Sequence, residues 1–546
     1  MPSATLEPPA LGRPIYPVGA YALSGLALHQ GRLLSLDTVQ GYLLQIAPVT
    51  GDTSILNSRQ VSEFQGATGL AVWGERLWLA QDNHILTGDL ADLTLKSIVQ
   101  LPYAADDVAV WEQTLYVACH KAGRIFVYDA DSGERITQFR LPGIGTAKIS
   151  VVGDYLWVCD QLEQTVYCLD RATEAVLVNV LTPFASPTGI WAPPEATPAA
   201  GTVWLTYALE EPYIRDNPNQ QEFPFELTFR DRTFLHSLHF TRQDAIALST
   251  GYKIEMIYAE ELEPLDDVTL TNARWRMAFP ANTPRQKCLS VEPVGRPFKT
   301  VQENGQNVAE FTFDSLQPNE RHLFGWRAVL EVRGIKHQLT PSQVEDAPSL
   351  SSEFQAKYLV DDDELSMDHP AIQAAAKEAV GRETNLLRKI LSIRNYVYDR
   401  LSYGIRPAID TPDVVIERGI GSCGEYVGLL LALYRLNGIA CRTVGRYKCP
   451  PKADQMGIPL EPEFNHVWIE FYIPGYGWLP MESNVDDVQE GGPYPTRFFM
   501  GLPWYHIEMA KEVAFGKLHL PEGAPEVKIG DLALNHVRFR ILEELA

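Results

Sequence analysis

The chain has 546 residues, of which 45% are apolar and 21% are charged, a composition typical of folded globular protein. At about 150 residues per domain, this length predicts three or four domains. The net charge is −23 at pH 7, and so negative a surface repels phosphate backbones and anionic lipids. Composition therefore argues against nucleic-acid and membrane partners.

The N-terminal segment, residues 1–14, is predicted to be a tail. A secretory signal has a basic region followed by an apolar core, and this segment has neither. The longest apolar run, Tyr426 to Tyr434, has nine residues, whereas a membrane-spanning helix needs about 20. The seven cysteines show no CxxC pair and no zinc-type spacing, so we expect reduced thiols. These features predict a cytoplasmic protein.

Residues 15–215 contain a repeat of about 40 residues. In its first four copies, a second apolar strand follows eight positions after the first. The first strands recur at intervals of 44, 38, 41 and 41 residues, starting at Gly25, Gly69, Asp107, Lys148 and Gly189. Several short strands with this period are typical of propeller blades, which bury their faces against one another. We predict β-propeller-like repeats with an open blade count, a two-sheet sandwich being the alternative.

Residues 216–345 show longer alternating strands without that repeat. Asn304-Gly305 lies between two alternating segments, which is a strong signal for a β-hairpin. This region is predicted to be an antiparallel, immunoglobulin-like β-sandwich. Residues 346–368 are predicted to be a linker, and the acidic run at 361–364 within them a solvated loop rather than a metal site.

Residues 369–546 are predicted to form an α+β domain. Helical spacing of apolar residues appears at 370–380 and 385–401, and strands are expected near 441–447, 466–473 and 478–482.

A helix start is predicted at Cys423. Ser422 followed by Glu425 is a capping-box pattern, and the apolar helical run behind it ends at Asn437. In a first helical turn, unpaired N–H groups and the helix dipole favour a thiolate over a thiol. Cys423 is therefore the candidate nucleophile, whereas the other cysteines are expected to be structural or without an activating neighbour.

His466 and Glu482 are predicted to lie on neighbouring antiparallel strands joined by the turn PGYG. They share a face only if the loop has an odd residue count or contains a bulge. Packed beside Cys423, they would form a nucleophile, a base and an orienting carboxylate. Taken without Cys423, His466 would be interpreted as an ordinary polar residue of a strand.

Three motifs in order, GSCGEY, HVWIEFYIPGYGW and an acid 16 residues after the histidine, resemble the transglutaminase-like superfamily of cysteine acyl-transfer domains. The resemblance covers residues 355–510 and implies a papain-like cysteine core with Cys423, His466 and Glu482 as its catalytic residues. The family usually has aspartate at the third position. Glutamate is one methylene longer and could still accept the imidazole N–H, and Asp486 is a second candidate for that role.

The resemblance implies acyl transfer on a protein or peptide amide through a thioester of Cys423. Hydrolysis, by a protease, amidase or deamidase, is favoured over transamidation, because an amine acceptor requires that water be kept from the thioester. The alternative is an inactive transglutaminase-like scaffold whose propeller binds a protein partner. No cofactor or metal ligand is predicted, since the calcium used by animal members of the family has no EF-hand pattern here.

Overall fold

A computed structural model describes residues 13–216, 219–222, 225–262, 267–362, 364–525, 527 and 533–545. The predicted N-terminal tail therefore lies outside the described residues except for Arg13 and Pro14. The chain divides into two compact units, one ending at Thr250 and one spanning Gly251–Leu545. Strands predominate in both units, and the boundaries predicted after residues 215, 345 and 368 stay predictions.

The first unit begins with four antiparallel sheets of four strands each, and every sheet follows chain order. Most of their strands are short apolar segments with few exposed residues, as the repeat predicts. The first two sheets contain β1 (Leu23–His29), β2 (Arg32–Asp37), β3 (Tyr42–Ile46) and β4 (Thr53–Ile55), then β5 (Ala67–Trp73), β6 (Arg76–Gln81), β7 (His84–Asp89) and β8 (Lys96–Gln100). The next two contain β9 (Asp107–Trp111), β10 (Thr114–Cys119), β11 (Arg124–Asp129) and β12 (Arg135–Arg140), then β13 (Ala147–Val152), β14 (Tyr155–Asp160), β15 (Thr165–Asp170) and β16 (Val176–Leu181).

A fifth set of strands follows, β17 (Pro187–Trp191), β18 (Ala200–Asp216), β19 (Phe225–Gln243) and the first residues of β20 (Ile246–Leu262). The pairing of β18 with β19 continues to Asp216, so these strands are much longer than those of the earlier sheets. This length explains why the 40-residue signature fades near residue 210.

The first strands of the five sheets contact one another in cyclic order: β1 with β5, β5 with β9, β9 with β13, β13 with β17, and β17 with β1. Side chains link them. Ser24 Oγ donates to Thr68 O at 2.6 Å, and Thr188 Oγ1 donates to Leu23 O at 2.7 Å. These links connect the second sheet and the fifth sheet to the first. The propeller itself stays a prediction.

Two antiparallel sheets of the second unit pack against each other. One contains β20, β22 (Gln286–Val294), β25 (His322–His337), β31 (Gly501–Leu502) and β34 (Ala533–Leu545), and the other contains β21 (Leu270–Ala278), β23 (Lys299–Glu303), β24 (Gln306–Leu316) and β33 (Gly516–His519). Rings of the two sheets pack together, Phe311 against Phe324 at 4.9 Å and Trp275 against Phe324 at 6.0 Å. The hairpin predicted at Asn304-Gly305 forms, with φ of 48° and 77° at these two residues.

Five α-helices follow, α1 (Ser352–Tyr358), α2 (Pro370–Val380), α3 (Leu386–Arg400), α4 (Pro412–Arg418) and α5 (Cys423–Leu436). Of these, α2, α3 and α5 lie within one residue of their predicted bounds, whereas α1 falls in the predicted linker. Four short 3₁₀ turns among the described residues lie at Val61–Glu63, His120–Ala122, Pro341–Val344 and Ala453–Gln455.

Among the described residues, no helix is both long enough and apolar enough to cross a bilayer. The cytoplasmic location stays a prediction.

The remaining sheet of the second unit has the strand order β30 (Gly477–Met481), β29 (His466–Ile473), β28 (Cys441–Lys448) and β32 (His506–Met509). A short parallel pair, β26 (Ser402–Tyr403) and β27 (Ile420–Gly421), precedes α5. Helix α5 packs on β29, and Leu430 and Leu433 share a buried cluster with Ile469 and Phe471. This packing brings the first turn of α5 to the beginning of β29.

Candidate active site

The start of α5 is held by side chains that surround Cys423. The predicted capping box is present, and the backbone N–H of Ser422 donates to Glu425 Oε2 at 2.7 Å. Arg418 donates to the other carboxylate oxygen of Glu425 at 2.6 Å. Glu425 is almost fully buried, so these hydrogen bonds satisfy a charge that water does not reach. The first turn that carries Cys423 is therefore firmly positioned.

Cys423 is half-buried and interacts with His466, the first residue of β29. Burial alone would raise the pKa of the Cys423 thiol. The hydrogen bond and charge of His466, together with the backbone N–H of Val467, outweigh burial and leave that pKa below its ordinary value. The other six cysteines all have pKa values raised chiefly by burial: Cys119, Cys159, Cys168, Cys288, Cys441 and Cys449.

Glu482 lies on the same face of the sheet as His466. Ile473 pairs with Gly477, so the connecting loop has three residues, the odd count that the sequence analysis required. Both oxygens of Glu482 lie 2.9 Å from Nε2 of His466, and both side chains are buried. Nε2 of His466 is thus the nitrogen that contacts Glu482.

The charges of His466 and Glu482 stabilise each other. Burial lowers the pKa of His466, but the Glu482 carboxylate and the hydrogen bonds with Cys423 and Glu482 raise it to about 9. Burial raises the pKa of Glu482, yet the charge of His466 and the hydrogen bonds from the rings of His466 and His506 hold it well below its ordinary value. At neutral pH the site therefore contains an imidazolium beside a carboxylate, and this cation favours the thiolate form of Cys423.

Asp486, the second candidate for the acid, lies elsewhere. It accepts hydrogen bonds from Arg497 Nε at 2.8 Å and from the backbone N–H of Phe498 at 3.2 Å, and it is paired with Arg394 at 3.4 Å. These partners neutralise the buried carboxylate of Asp486. The acid that contacts His466 is Glu482.

His506 is a residue of this site that the sequence analysis missed. Its Nε2 is hydrogen-bonded to Glu482 Oε1, and its ring is fully buried, with Trp468 at 5.0 Å and nearly perpendicular to it. Burial lowers the pKa of His506 to about 3, so the ring is neutral. His506 lies 24 residues beyond Glu482 on β32, with no sequence spacing that would signal its position.

His466, Glu482 and His506 are also the only group of three among the described residues whose donor atoms, within 4.8 Å of one another, could hold a metal ion. Two imidazoles and a carboxylate would suit zinc. In the structure the same atoms are hydrogen-bonded to one another, and a cation between them would replace the bond that orients His466 towards Cys423.

Exposed apolar side chains lie next to the first turn of α5. A Cβ atom added to Gly424 would meet Ile409 Cδ1 at 3.1 Å, and Ile405 and Ile409 are 70% and 74% exposed. The loop that carries them is tied to the helix start, since the backbone N–H of Asp410 donates to Glu425 Oε1 at 3.2 Å. We call this surface, Tyr403, Ile405, Ile409 and Ile420, the apolar rim.

A groove of about 580 Å³ lies near the beginning of β29. Asn465, the residue before His466, lines it together with Tyr447, Phe464, Val537 and Arg538, among others. The groove thus combines apolar and charged side chains beside β29.

Residues 373–483 match the family model of the transglutaminase-like superfamily. That match includes Cys423, His466 and Glu482 but ends before His506. No curated protein sequence matches the chain.

Solved structures resemble the chain only distantly. A cysteine protease candidate from Cytophaga hutchinsonii is 15% identical, with 54% of this chain and 92% of that chain covered and a TM-score of 0.37. The glutaminyl cyclase of Myxococcus xanthus is 16% identical, with 41% and 95% covered and a TM-score of 0.28. Regucalcin, a calcium-binding protein of Agrobacterium tumefaciens, is 12% identical, with 41% and 95% covered and a TM-score of 0.26. These scores are too low to establish a shared fold.

Proposed function

We propose, from the premise that residues 373–483 form a transglutaminase-like domain, that this chain catalyses cysteine-dependent acyl transfer on protein or peptide amides. In this proposal Cys423 is the nucleophile, His466 the general acid and base, and Glu482 the residue that orients His466. The observation that carries the proposal is their convergence at a helix start. His466 lowers the pKa of Cys423, and its Nε2 lies 2.9 Å from the Glu482 carboxylate.

The reaction begins when the Cys423 thiolate attacks the amide carbonyl carbon and forms a C–S bond. His466 then gives its proton to the departing amine nitrogen as the C–N bond breaks, which leaves a thioester. Water attacks the thioester and transfers a proton to His466, and the C–S bond breaks to release the carboxylic acid and restore the thiolate. Glu482 stays ionised throughout and keeps the imidazole in the orientation that both proton transfers need.

The oxyanion of each tetrahedral intermediate would be stabilised by the N-terminus of α5. The first four N–H groups of a helix have no acceptor within the helix, and that of Cys423 is among them. Hydrogen-bond donors fixed where charge develops contribute strongly to the lowering of the barrier. The capping box at Ser422 supports this role, because it fixes the first turn before substrate binds.

The proposed substrate is a segment of protein or peptide with an apolar side chain beside the scissile amide. The apolar rim supports this proposal, because it is exposed, lies against Gly424 and is tied to the helix start through Asp410. Contact with an apolar substrate side chain would remove this surface from water. Hydrolysis is the proposed outcome, since Ile405 and Ile409 are open to solvent and a water acceptor can reach this side of the site.

The test is to trap the acyl-enzyme. The full chain is mixed with an activated acyl donor, such as the p-nitrophenyl ester of an N-acylated leucine, then quenched with acid and examined by mass spectrometry. We expect one acyl group on Cys423, and none in Cys423→Ser. Adding an alkylamine to water labelled with ¹⁸O distinguishes hydrolysis from transamidation. If no acyl-enzyme forms and Cys423 reacts with iodoacetamide like an ordinary thiol, the chain is an inactive scaffold.

For the first unit, we propose a five-bladed β-propeller formed by the five sheets. The cyclic contacts of β1, β5, β9, β13 and β17 support it, as do the links made by Ser24 and Thr188. Such a region is a candidate surface for a protein partner.

In the second unit, the two sheets whose aromatic rings pack together support the proposed sandwich.

A further inference from the structure

We infer that His506 is a positioning residue that holds the Glu482 carboxylate in the orientation His466 requires. This inference rests on the proposed function of Cys423, His466 and Glu482, and it adds a residue outside the segment that matches the family. His506 touches neither substrate nor the reacting atoms in this mechanism; it acts through Glu482.

The contacts of the carboxylate support this role. Glu482 receives hydrogen bonds from three donors: His466 at 2.9 Å to both oxygens, the backbone N–H of Ser483 at 3.0 Å to Oε2, and His506 to Oε1. His506 is therefore a second donor to Oε1, while the backbone N–H of Ser483 donates to Oε2. Without it, Oε1 would keep only the hydrogen bond with His466.

The chemistry of His506 suits a donor. Because Glu482 is ionised, it only accepts hydrogen bonds, so Nε2 of His506 must carry the proton of the neutral ring. The second nitrogen, Nδ1, has no hydrogen-bond partner within the described part of the chain. Rings of Trp468, Phe498 and Tyr505 enclose His506 at 5.0, 6.3 and 5.1 Å. The polar contact of this side chain is thus directed at Glu482.

The length of Glu482 explains why such a donor is useful. Glutamate has one more rotatable bond than the aspartate usual at this position in the family, and each free torsion lets the carboxylate leave its productive orientation. A second fixed donor removes that freedom. The glutamate and His506 therefore act as a matched pair.

The test compares two substitutions of His506 in the full chain. His506→Gln places an amide N–H near the position of Nε2, whereas His506→Leu fills similar space without a donor. The readout is the second-order rate constant for labelling of Cys423 by iodoacetamide at pH 6.5 in the presence of EDTA. We expect a loss of about ten-fold or more in His506→Leu, as for other orienting partners, and a rate near wild type in His506→Gln.

A double-mutant cycle shows whether the effect passes through Glu482. In a Glu482→Gln background, His506→Leu should cause little further loss of labelling rate, because the carboxylate it positions is gone. Thermal unfolding of each variant measures the structural cost of the substitution. A purely structural role would give additive losses in the cycle and equal rates for the leucine and glutamine variants, which overturns the inference.

The outcomes separate this inference from the proposed function. Slow labelling of Cys423 in the wild type would contradict the proposed function. Fast labelling that His506→Leu leaves unchanged would overturn only the role of His506. Elemental analysis supplies a third outcome, since stoichiometric zinc in the wild type and none in His506→Leu would make the group a metal site and would also overturn the inference.

Discussion

The charge of one histidine distinguishes Cys423 from the other cysteines of the chain. Six thiols have pKa values raised by burial, whereas His466 and the N–H of Val467 lower the pKa of Cys423. Local motifs were enough to predict Cys423, His466 and Glu482, because a capping box and a hairpin fix each of them within a few residues. His506 could not be predicted, since only the pairing of β32 with β28 brings it to Glu482.

The first prediction concerns the pH range of activity. The thiolate and imidazolium coexist from the lowered pKa of Cys423 up to the pKa of His466, about 9. Hydrolysis should decline above about pH 9, because His466 loses the proton it gives to the leaving amine, whereas iodoacetamide labelling should not decline, because it needs only the thiolate. Parallel pH profiles of the two reactions test this, and identical profiles would contradict it.

A second prediction concerns the orienting acid. Glu482→Gln removes the charge that raises the pKa of His466, so the alkaline limit of hydrolysis should move below pH 9. We expect the rate to fall by about 10²–10⁴-fold, the range for loss of a well-oriented acid–base group. Glu482→Asp keeps the charge and is the control. Equal losses in both variants would show that length, rather than charge, is what matters.

At the scale of elements, the predicted and observed helices agree closely where end signals are strong. Helix α5 begins at Cys423, as the Ser422 and Glu425 pattern predicted, and α2 begins at Pro370. Short elements were missed, because α1 and α4 have only seven residues each and too few turns to show a period. The loop at Asp410 also depends on a contact with Glu425 that no local pattern reveals.

Glu425 should be essential for the helix start. Glu425→Ala removes the acceptor of Ser422 N–H, Asp410 N–H and Arg418 Nη2, so we expect a loss of about 1–3 kcal/mol in the free energy of unfolding. Glu425→Gln, which keeps acceptor capacity, should lose less. Urea denaturation followed at the second unit measures both, and equal stability of Glu425→Ala and wild type would contradict the prediction.

Ile409 should contribute to substrate selection. Because Ile409 is 74% exposed and serine adds no charge beside Cys423, Ile409→Ser should leave stability and iodoacetamide labelling of Cys423 unchanged. Hydrolysis of a peptide with an apolar side chain beside the amide should fall about ten-fold in kcat/KM, as expected when one aliphatic contact is lost. Ile458→Ser, at another exposed isoleucine, is the control. Equal effects of the two substitutions would argue against the apolar rim.

At the scale of the molecule, the repeat period predicted the short sheets of the first unit, but it could not predict which side chains connect one sheet with another. Lys148 is an example. It lies in β13, is buried, and donates to Ser24 Oγ at 3.0 Å, Thr68 O at 2.7 Å and Asp106 O at 2.8 Å. One side chain of the fourth sheet thus reaches the region of the first three. In the sequence, Lys148 is one lysine at the start of a predicted strand, and no pattern around it indicates these three hydrogen bonds.

Lys148→Met should destabilise the first unit, because it removes three hydrogen bonds that a buried side chain donates. The expected loss is about 1–3 kcal/mol, and hydrogen exchange should accelerate in β1, β5 and β9. Lys121→Met, at an exposed lysine of the same unit, should change neither quantity. Unchanged exchange in Lys148→Met would show that these hydrogen bonds do not couple the sheets.

The pairing of β20 with β34 places Gly251 opposite Leu545, so the two ends of the second unit lie side by side. A unit whose ends are adjacent can be inserted into another chain, or circularly permuted, as one piece. Its two ends can be joined to the two sides of a loop in another protein. They can also be joined to each other while new termini are made in a surface loop. A circular permutant that joins these two ends should therefore keep the proposed site.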